Sequence, residues 1–196
     1  MPDLPLVFII GDSISMGYTP FVRKELEGRV RVARHEGNGG DSNNVLSNLG
    51  TLWLPALAEK PALIHANAGL HDLRFWTERG EYQVTLESYA KNMAILARKL
   101  AATGAKVVWA TTTPVIDGAP NMSKDFPRKN SDVEAYNAAA TEAVTAAGIE
   151  VDDLYALVEE TGREKLITPD GVHFTEDGYR ALGAKVAEAI SRALAL

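Results

Sequence analysis

The stretch LVFIIGDSISMGY covers Leu6–Tyr18, and its apolar half decides the fold prediction. The apolar run Leu6–Ile10 continues without interruption and stops at Gly11–Ser13. Such a run bounded by glycine predicts a strand buried on both faces, as in a parallel sheet. A helical pattern follows, and open α/β folds place their chemistry at strand-to-helix turns of this kind. Ser13 is therefore the first candidate nucleophile.

Length and composition limit the class of protein. With 196 residues, 46% hydrophobic and 23% charged, we expect a single globular domain over residues 1–196. The net charge of −6 argues against nucleic acid as the main partner. The apolar runs are too short for a membrane span and no basic signal precedes the first strand, so we expect a cytoplasmic protein. The absence of cysteine excludes disulfides, thiolate catalysis and cysteine-based zinc sites. The sequence does not indicate the oligomeric state.

Five predicted strands alternate with helices along the chain. They are Leu6–Ile10, Arg29–Arg34, Ala62–Ala68, Lys106–Thr111 and Ile149–Val151. The second alternates apolar and charged residues, which is typical of a half-exposed edge strand, whereas most of the others are apolar. This order predicts a three-layer α/β/α sandwich around a five-stranded parallel sheet.

Local signals place the helices and loops between these strands. The sequence SDVE at Ser131–Glu134 is a capping box and predicts a helix start there. Thr175 is the expected N-cap of the last helix. Arg74–Gln83 is expected to be a loop. The buried stripe of the helix after the capping box is predicted to be Val133, Tyr136, Ala140 and Val144.

Right-handed crossovers bring the carboxyl ends of all parallel strands to one edge of the sheet. Ser13 and Asp170–His173 then become neighbours. A serine hydroxyl needs a base in hydrogen-bond contact, and that base needs an orienting acceptor. We therefore predict that His173 is the base and that Asp170 orients it. The alternative is a turn in which His173 merely precedes the helix as a capping residue.

An acyl-transfer site also needs donors aimed at the developing oxyanion. The candidates are the backbone N–H of Ser13, the backbone N–H of Gly40 in a glycine-rich loop, and a ring N–H of His71. The alternatives are a flexible turn for Gly39 and Gly40 and a satisfied, partly buried histidine for His71. The three donors together at successive strand ends favour a catalytic site.

Four short motifs resemble those of a known family. GDSIS at Gly11–Ser15, GDS at Gly40–Ser42, GLHD at Gly69–Asp72 and DGVHF at Asp170–Phe174 look like the motif blocks of the SGNH (GDSL-type) hydrolases. Thr113 and Pro114 also resemble a recurrent Thr-Pro after the family's fourth strand. The resemblance implies a flavodoxin-like sandwich with strand order 2-1-3-4-5. It also implies a Ser13–His173–Asp170 triad and an oxyanion hole that includes Gly40.

One position departs from the family pattern. The third block is usually Gly-x-Asn-Asp, and its Asn side chain donates to the oxyanion, but His71 stands at that place. A neutral imidazole offers one N–H and can replace the amide if the correct tautomer is held. We predict that His71 points into the site, with Asp72 as a candidate for fixing its surroundings.

Aromatic residues in the loops suggest how a substrate is recognised. Phe75, Trp76 and Tyr82 follow His71 closely and are candidate substrate-binding residues. A second loop contributes Met122, Lys124, Phe126 and Arg128. These residue types suit a sugar ester or another polar acyl compound. The alternative is that the aromatic residues only anchor a long loop.

The prediction is a serine hydrolase that cleaves a small, short-chain (acetyl-like) ester, with a carbohydrate as one candidate alcohol, and requires no cofactor or metal. A thioesterase or lysophospholipase-type acyl hydrolase is one alternative. Another is a metal-assisted hydrolase. Its candidate ligands are Asp12, His71, Asp72, Asp170 and His173. A non-catalytic binding or partner module that keeps the fold is the third.

Overall fold

A five-stranded parallel sheet forms the centre of the protein, and the computed structural model describes residues 4–123 and 127–196. The strands in chain order are β1 (Leu6–Ile10), β2 (Arg31–Arg34), β3 (Leu63–Ala66), β4 (Phe75–Trp76), β5 (Glu81–Tyr82), β6 (Lys106–Ala110) and β7 (Glu150–Asp152). The main sheet has the order β2-β1-β3-β6-β7 with parallel neighbours throughout. This confirms the predicted order 2-1-3-4-5 when the separate β4–β5 hairpin is left out of the count.

Helices cover the sheet. They are α1 (Ser13–Glu25), α2 (Ser42–Asn48), α3 (Leu86–Ala101), α4 (Asn130–Ala146), α5 (Leu154–Thr161), α6 (Arg163–Leu166) and α7 (Glu176–Leu194), and a π-helical segment at Leu49–Trp53 continues α2. Helix α1 packs against α7, and α3 packs against α4. The described part of the chain has no helix with the length and apolar character needed to cross a membrane.

Burial follows the sequence pattern closely. All residues of β1 are buried, because β1 has a neighbour on each side and helices above and below. Strand β2 stays partly exposed, as its alternating pattern predicts for the edge of the sheet. The predicted apolar stripe of α4 is buried at each of its four positions. Apolar burial of this kind supplies most of the driving force for folding.

Two glycines let α1 and α7 approach closely. A Cβ at Gly17 would lie 2.1 Å from the ring of Tyr179, and a Cβ at Gly183 would lie 2.5 Å from the Cβ of Phe21. Larger residues would therefore force the helices apart. Because Ser13 begins α1 and His173 lies just before α7, this close packing brings the start of both helices to the same place.

Two local predictions need correction. The predicted loop Arg74–Gln83 contains the β4–β5 hairpin, whose two-residue strands are too short to give a periodic signal. Helix α4 begins at Asn130 rather than inside the capping box, and its N-cap Lys129 makes no side-chain capping bond. The Asn130 N–H instead donates to Asp117 Oδ1 at 2.7 Å, so a preceding loop residue replaces the local cap.

Candidate active site

The turn between β1 and α1 presents Ser13. Asp12 is the N-cap of α1, and its side chain accepts a hydrogen bond from the Ile14 N–H at 3.0 Å. Ser13 is the first residue of the helix and is half-buried. A first-turn backbone N–H has no partner within its own helix. The Ser13 N–H is thus suited to bind a ligand oxygen.

A chain of hydrogen bonds connects Ser13 to the predicted base and acid. Ser13 Oγ lies 3.0 Å from His173 Nε2, and His173 Nδ1 lies 2.7 Å from Asp170 Oδ2. The other oxygen of Asp170 accepts from the backbone N–H groups of Val172 and His173, each at 2.9 Å. The hydroxyl of Thr168 also donates to that oxygen at 2.8 Å. The turn before α7 therefore orients the carboxylate, which in turn orients the imidazole.

The electrostatics of Asp170 favour its ionised form. Partial burial acts to raise the pKa of Asp170, but the hydrogen bonds from Val172 and His173 outweigh it and hold the pKa at about 2. Hydrogen bonds to a carboxylate stabilise its charge. Asp170 is consequently an anion at neutral pH, as a residue that stabilises a protonated His173 must be.

The glycine-rich loop after β2 lies against the serine turn. The Gly39 N–H donates to the Gly11 carbonyl at 3.0 Å, and a Cβ at Gly39 would lie 2.7 Å from that oxygen. Gly40 has a φ of +64°, a conformation that favours glycine. Its N–H donates to Asn38 Oδ1 at 2.9 Å. The donor predicted at Gly40 therefore binds the side-chain amide oxygen of Asn38 in this structure.

His71 follows β3 and lines the same cleft as Ser13 and His173. Burial lowers the pKa of His71 below its ordinary value; the charge of Asp12 opposes this shift and that of Arg128 adds to it. The imidazole is therefore neutral at pH 7 and has one N–H to donate. Asp72 turns away into the interior, where it binds Ser42.

The cleft that contains these groups has a volume of about 370 Å³. Its described lining residues are Ser13, Asn38, His71, Asn121, Ser123, Arg128, Asp170, Val172 and His173. Sequence reasoning included Arg128 but missed Asn38, Asn121 and Ser123. The position of Asn38 beside the glycine pair was the available signal. Lys124 and Phe126 lie outside the described residues.

Arg128 is a largely buried cation in the wall of this cleft, with 9% of its surface exposed. Its Nε donates to the Leu70 carbonyl at 2.9 Å, next to His71. Burial lowers the pKa of Arg128 to about 10, while Asp12 and Asp170 act to raise it. Arg128 therefore carries a positive charge at neutral pH and makes this side of the cleft polar.

The three aromatic candidates from the next loop belong to the hairpin and have other contacts. Phe75 pairs with Tyr82, and the guanidinium of Arg74 lies 3.5 Å from the ring of Trp76. The hydroxyl of Tyr82 donates to Asp132 Oδ2 in α4 at 3.1 Å. None of the three is among the described residues that line the cleft. These contacts favour the anchoring alternative, and a role in substrate binding stays a prediction.

The acidic residues of the metal-assisted alternative lie at separate places. Asp12 caps α1, Asp72 binds Ser42 and Asp170 binds His173. Residues 4–123 and 127–196 contain no group of three or more histidine or acidic side chains that could hold a metal ion. Each of these carboxylates has instead a contact within the polypeptide.

Known proteins resemble this chain in sequence and in fold. The model of the GDSL-like Lipase/Acylhydrolase family matches residues 9–181. The lipase/acylhydrolase from Enterococcus faecalis is 22% identical, with a TM-score of 0.79 over 96% of both chains. The M. smegmatis aryl esterase is 16% identical, with a TM-score of 0.78 over 96% of this chain and 99% of that chain. A catalytic mutant of an acetylxylan esterase from Geobacillus stearothermophilus is 17% identical, with a TM-score of 0.77 over 97% of this chain and 95% of that chain. Among curated proteins, none matches.

The match to the family model shows the family, and the solved structures show the fold. At such low identities the structural likenesses show the fold, with its central parallel sheet between helices. The family match includes all four motif blocks, since it begins within β1 and ends within α7. The chain belongs to the GDSL-like lipase/acylhydrolase family, a family of carboxylic ester hydrolases.

Proposed function

We propose that this protein is a serine esterase that cleaves a small, short-chain acyl ester through a covalent acyl-enzyme. The observation that carries the proposal is the continuous hydrogen-bonded chain from Ser13 Oγ through His173 to Asp170, at the wall of an open cleft. A nucleophile, a base and an orienting carboxylate in this arrangement are what acyl transfer by serine requires.

In the first half of the reaction, Ser13 Oγ attacks the ester carbonyl while His173 Nε2 takes the hydroxyl proton. Asp170 stabilises the imidazolium that forms. The carbonyl oxygen becomes an oxyanion, which accepts hydrogen bonds from the N–H groups of Ser13 and Gly40 and from His71. The Gly40 N–H exchanges Asn38 Oδ1 for this oxyanion, so the Asn38 side chain turns away on binding.

Collapse of the tetrahedral intermediate breaks the ester bond, and His173 gives its proton to the departing alcohol. A water molecule then attacks the acyl-enzyme with His173 as base. The second tetrahedral intermediate uses the same oxyanion donors, and its breakdown releases the carboxylic acid and restores Ser13.

The cleft supports a small and polar substrate. Its volume of about 370 Å³ limits the size of the acyl group, and its walls include the polar side chains of Asn38, Asn121, Ser123 and Arg128. An acetyl ester of a carbohydrate fits this chemistry, and one structural relative is named as an acetylxylan esterase. Another is named as an aryl esterase, so an aryl alcohol is the second candidate leaving group.

The direct test is labelling with a fluorophosphonate, followed by intact mass and peptide mapping. We expect one adduct, on Ser13, and none in Ser13→Ala; acetyl ester hydrolysis should disappear in the same variant. An unlabelled Ser13 in folded protein would contradict the proposal and favour the binding-module alternative. Loss of activity with a strong chelator would favour the metal-assisted alternative, whereas a preference for acyl thioesters would favour the thioesterase alternative.

A further inference from the structure

The two backbone donors of the proposed oxyanion hole share one feature: the carbonyl of the same peptide group accepts a hydrogen bond from a side chain. The Ser13 N–H belongs to the same peptide group as the Asp12 carbonyl, and the Gly40 N–H belongs to the same group as the Gly39 carbonyl. Arg34 Nη2 donates to the Asp12 carbonyl at 3.2 Å, beside the Ser15 hydroxyl at 2.7 Å and the Met16 N–H at 3.1 Å. Asn44 Nδ2 donates to the Gly39 carbonyl at 2.7 Å.

All three guanidinium nitrogens of Arg34 donate hydrogen bonds to this region. Nη2 also donates to the Gly11 carbonyl at 2.7 Å, and Nε donates to Ser15 Oγ at 3.0 Å. Nη1 donates to the carbonyls of His35 at 2.8 Å and Gly37 at 2.7 Å. A guanidinium has five N–H bonds, and all five have an acceptor here. Three of these bonds go to the serine turn and two to the glycine-rich loop, so Arg34 holds the two segments together.

Asn44 makes the corresponding contact from the first turns of α2. Its Nδ2 donates to Gly39, and its Oδ1 accepts from Asn48 Nδ2 at 2.9 Å. The Asn44 backbone N–H is capped by Asp41 Oδ1 at 3.0 Å, which fixes this part of the helix. The amide is therefore held by the helix and directed at the loop that contains Gly40.

A donor on a peptide carbonyl changes the N–H of the same peptide group in two ways. It fixes the plane of the group and hence the direction of the N–H. It also draws electron density toward the carbonyl oxygen, so the N–H becomes a stronger donor, because hydrogen bonds in a chain polarise one another. Preorganised donors of this kind are the main source of oxyanion stabilisation.

We propose that Arg34 and Asn44 are positioning residues that orient and strengthen the Ser13 and Gly40 N–H donors. The inference rests on the proposed esterase function and names the residues that act through its oxyanion hole. Neither side chain touches the substrate: Arg34 acts through the Asp12–Ser13 peptide group and Asn44 through the Gly39–Gly40 peptide group.

The experiment compares Arg34→Lys and Asn44→Ala with matched controls. Arg31→Lys lies in the same strand, where the Arg31 side chain contacts only Leu4 and Glu59 among the described residues. Asn48→Ala cuts the Asn44–Asn48 bond, which Asn44→Ala also loses, but leaves the Gly39 contact intact. The readouts are kcat and KM for an acetyl ester, the inhibition constant of an alkyl boronic acid, and the melting temperature. The boronic acid adduct on serine places a negative oxygen in the oxyanion hole.

We expect kcat to fall about tenfold in each test variant, which is part of the ~10²–10³-fold lost with a whole oxyanion donor. The boronic acid should bind more weakly by a similar factor, while KM and the two controls change less than twofold. A change confined to the melting temperature, or equal effects in Asn44→Ala and Asn48→Ala, would overturn the inference. If Arg34→Lys does not fold, Asn44→Ala decides alone, because Asn44 is exposed.

Failure of the proposed function has a different signature. In that case wild-type protein and Ser13→Ala hydrolyse the ester equally, and the boronic acid does not bind. Wild-type turnover that depends on Ser13 but is unaffected by Arg34→Lys and Asn44→Ala would overturn only the role of the two positioning residues.

Discussion

The buried carboxylate of Asp72 accepts hydrogen bonds from the backbone N–H of Ser42, at 3.0 Å to each oxygen, and from the Ser42 hydroxyl. This contact joins the segment after β3 to the start of α2. His71 directly precedes Asp72, and Gly40 lies two residues before Ser42. The Asp72–Ser42 contact therefore sets the spacing between two of the proposed oxyanion donors.

The pKa of Asp72 makes this contact sensitive to pH. Burial raises the pKa of Asp72 to about 7, although the Ser42 hydrogen bonds act against that shift. The folded state consequently binds a proton more tightly than the unfolded state, whose Asp titrates near 4. The contribution of Asp72 to stability is greatest below about pH 4 and is lost as the pH rises through about 7.

Asp72→Asn should remove this dependence. Between pH 5 and pH 7, we expect the free energy of unfolding of the variant to increase relative to that of wild type by about 1 kcal/mol per pH unit, because only wild type loses the Asp72 contribution over this range. Urea unfolding of both proteins at these pH values measures the difference. A difference that is the same at pH 5 and pH 7 would show that Asp72 has an ordinary pKa.

Asp170→Asn tests the orienting carboxylate. We expect kcat to fall by about 10⁴-fold, as for an amide in the equivalent role of a serine triad, because the amide no longer stabilises a protonated His173. Asp177→Asn is the control, since Asp177 is an exposed carboxylate at the start of α7. Steady-state kinetics with an acetyl ester measures both, and a decrease below tenfold in Asp170→Asn would contradict the role.

The low pKa of Asp170 also predicts how the stability of the fold depends on pH in acid. Because the pKa is about 2 in the folded protein, below that of an unfolded Asp, the carboxylate stabilises the fold above about pH 4. That contribution is lost as the pH falls toward 2. Acid unfolding of wild type should therefore begin at a lower pH and be steeper than in Asp170→Asn, which lacks the titrating group.

His71 is tested by two substitutions. His71→Ala removes the ring donor, so we expect kcat to fall about 10²–10³-fold with little change in KM. His71→Asn restores the side-chain amide usual in the family and should keep kcat within about tenfold of wild type. If His71→Ala stays within a few-fold of wild type, His71 is not an oxyanion donor.

Acyl chain length tests the predicted substrate class. We expect kcat/KM to be highest for acetyl esters and to fall steadily for butyryl, octanoyl and longer esters of one alcohol, because the cleft has a volume of only about 370 Å³ and places Asn38, Asn121 and Arg128 in its wall. A series of p-nitrophenyl esters measures this. A preference for the long chains would instead favour the lysophospholipase-type alternative.

Substitution of Tyr82 distinguishes a role in substrate binding from a role in anchoring the hairpin. Tyr82→Phe removes the bond to Asp132, so we expect a loss of about 1 kcal/mol in stability and an unchanged KM. Asp132→Ala removes the same bond and should have a similar effect, and the double variant should add little to either. An increase of several-fold in KM without loss of stability would place Tyr82 in the substrate site.

Local sequence pattern was sufficient for the main sheet, and it also predicted which residues would meet in the candidate site, whose chemistry stays a proposal. Apolar runs such as Leu6–Ile10 indicate buried parallel strands, and right-handed crossovers then leave one edge for all their carboxyl ends. For that reason Ser13, His173 and Asp170 could be assigned to one site before any distance was known. The motif blocks pointed to the family for a different reason, since their residues and their order along the chain resemble those of the family.

Tertiary structure decided what depends on contacts between distant segments. The close packing of α1 on α7 at Gly17 and Gly183, and the replacement of the α4 capping box by Asp117, have no local pattern. The same is true of Arg34. In the sequence it is one charged residue of an edge strand, and only folding brings five backbone and side-chain acceptors within reach of its guanidinium. Hydrogen bonds require positions correct to a few tenths of an ångström, and those are set by the packing of the whole chain.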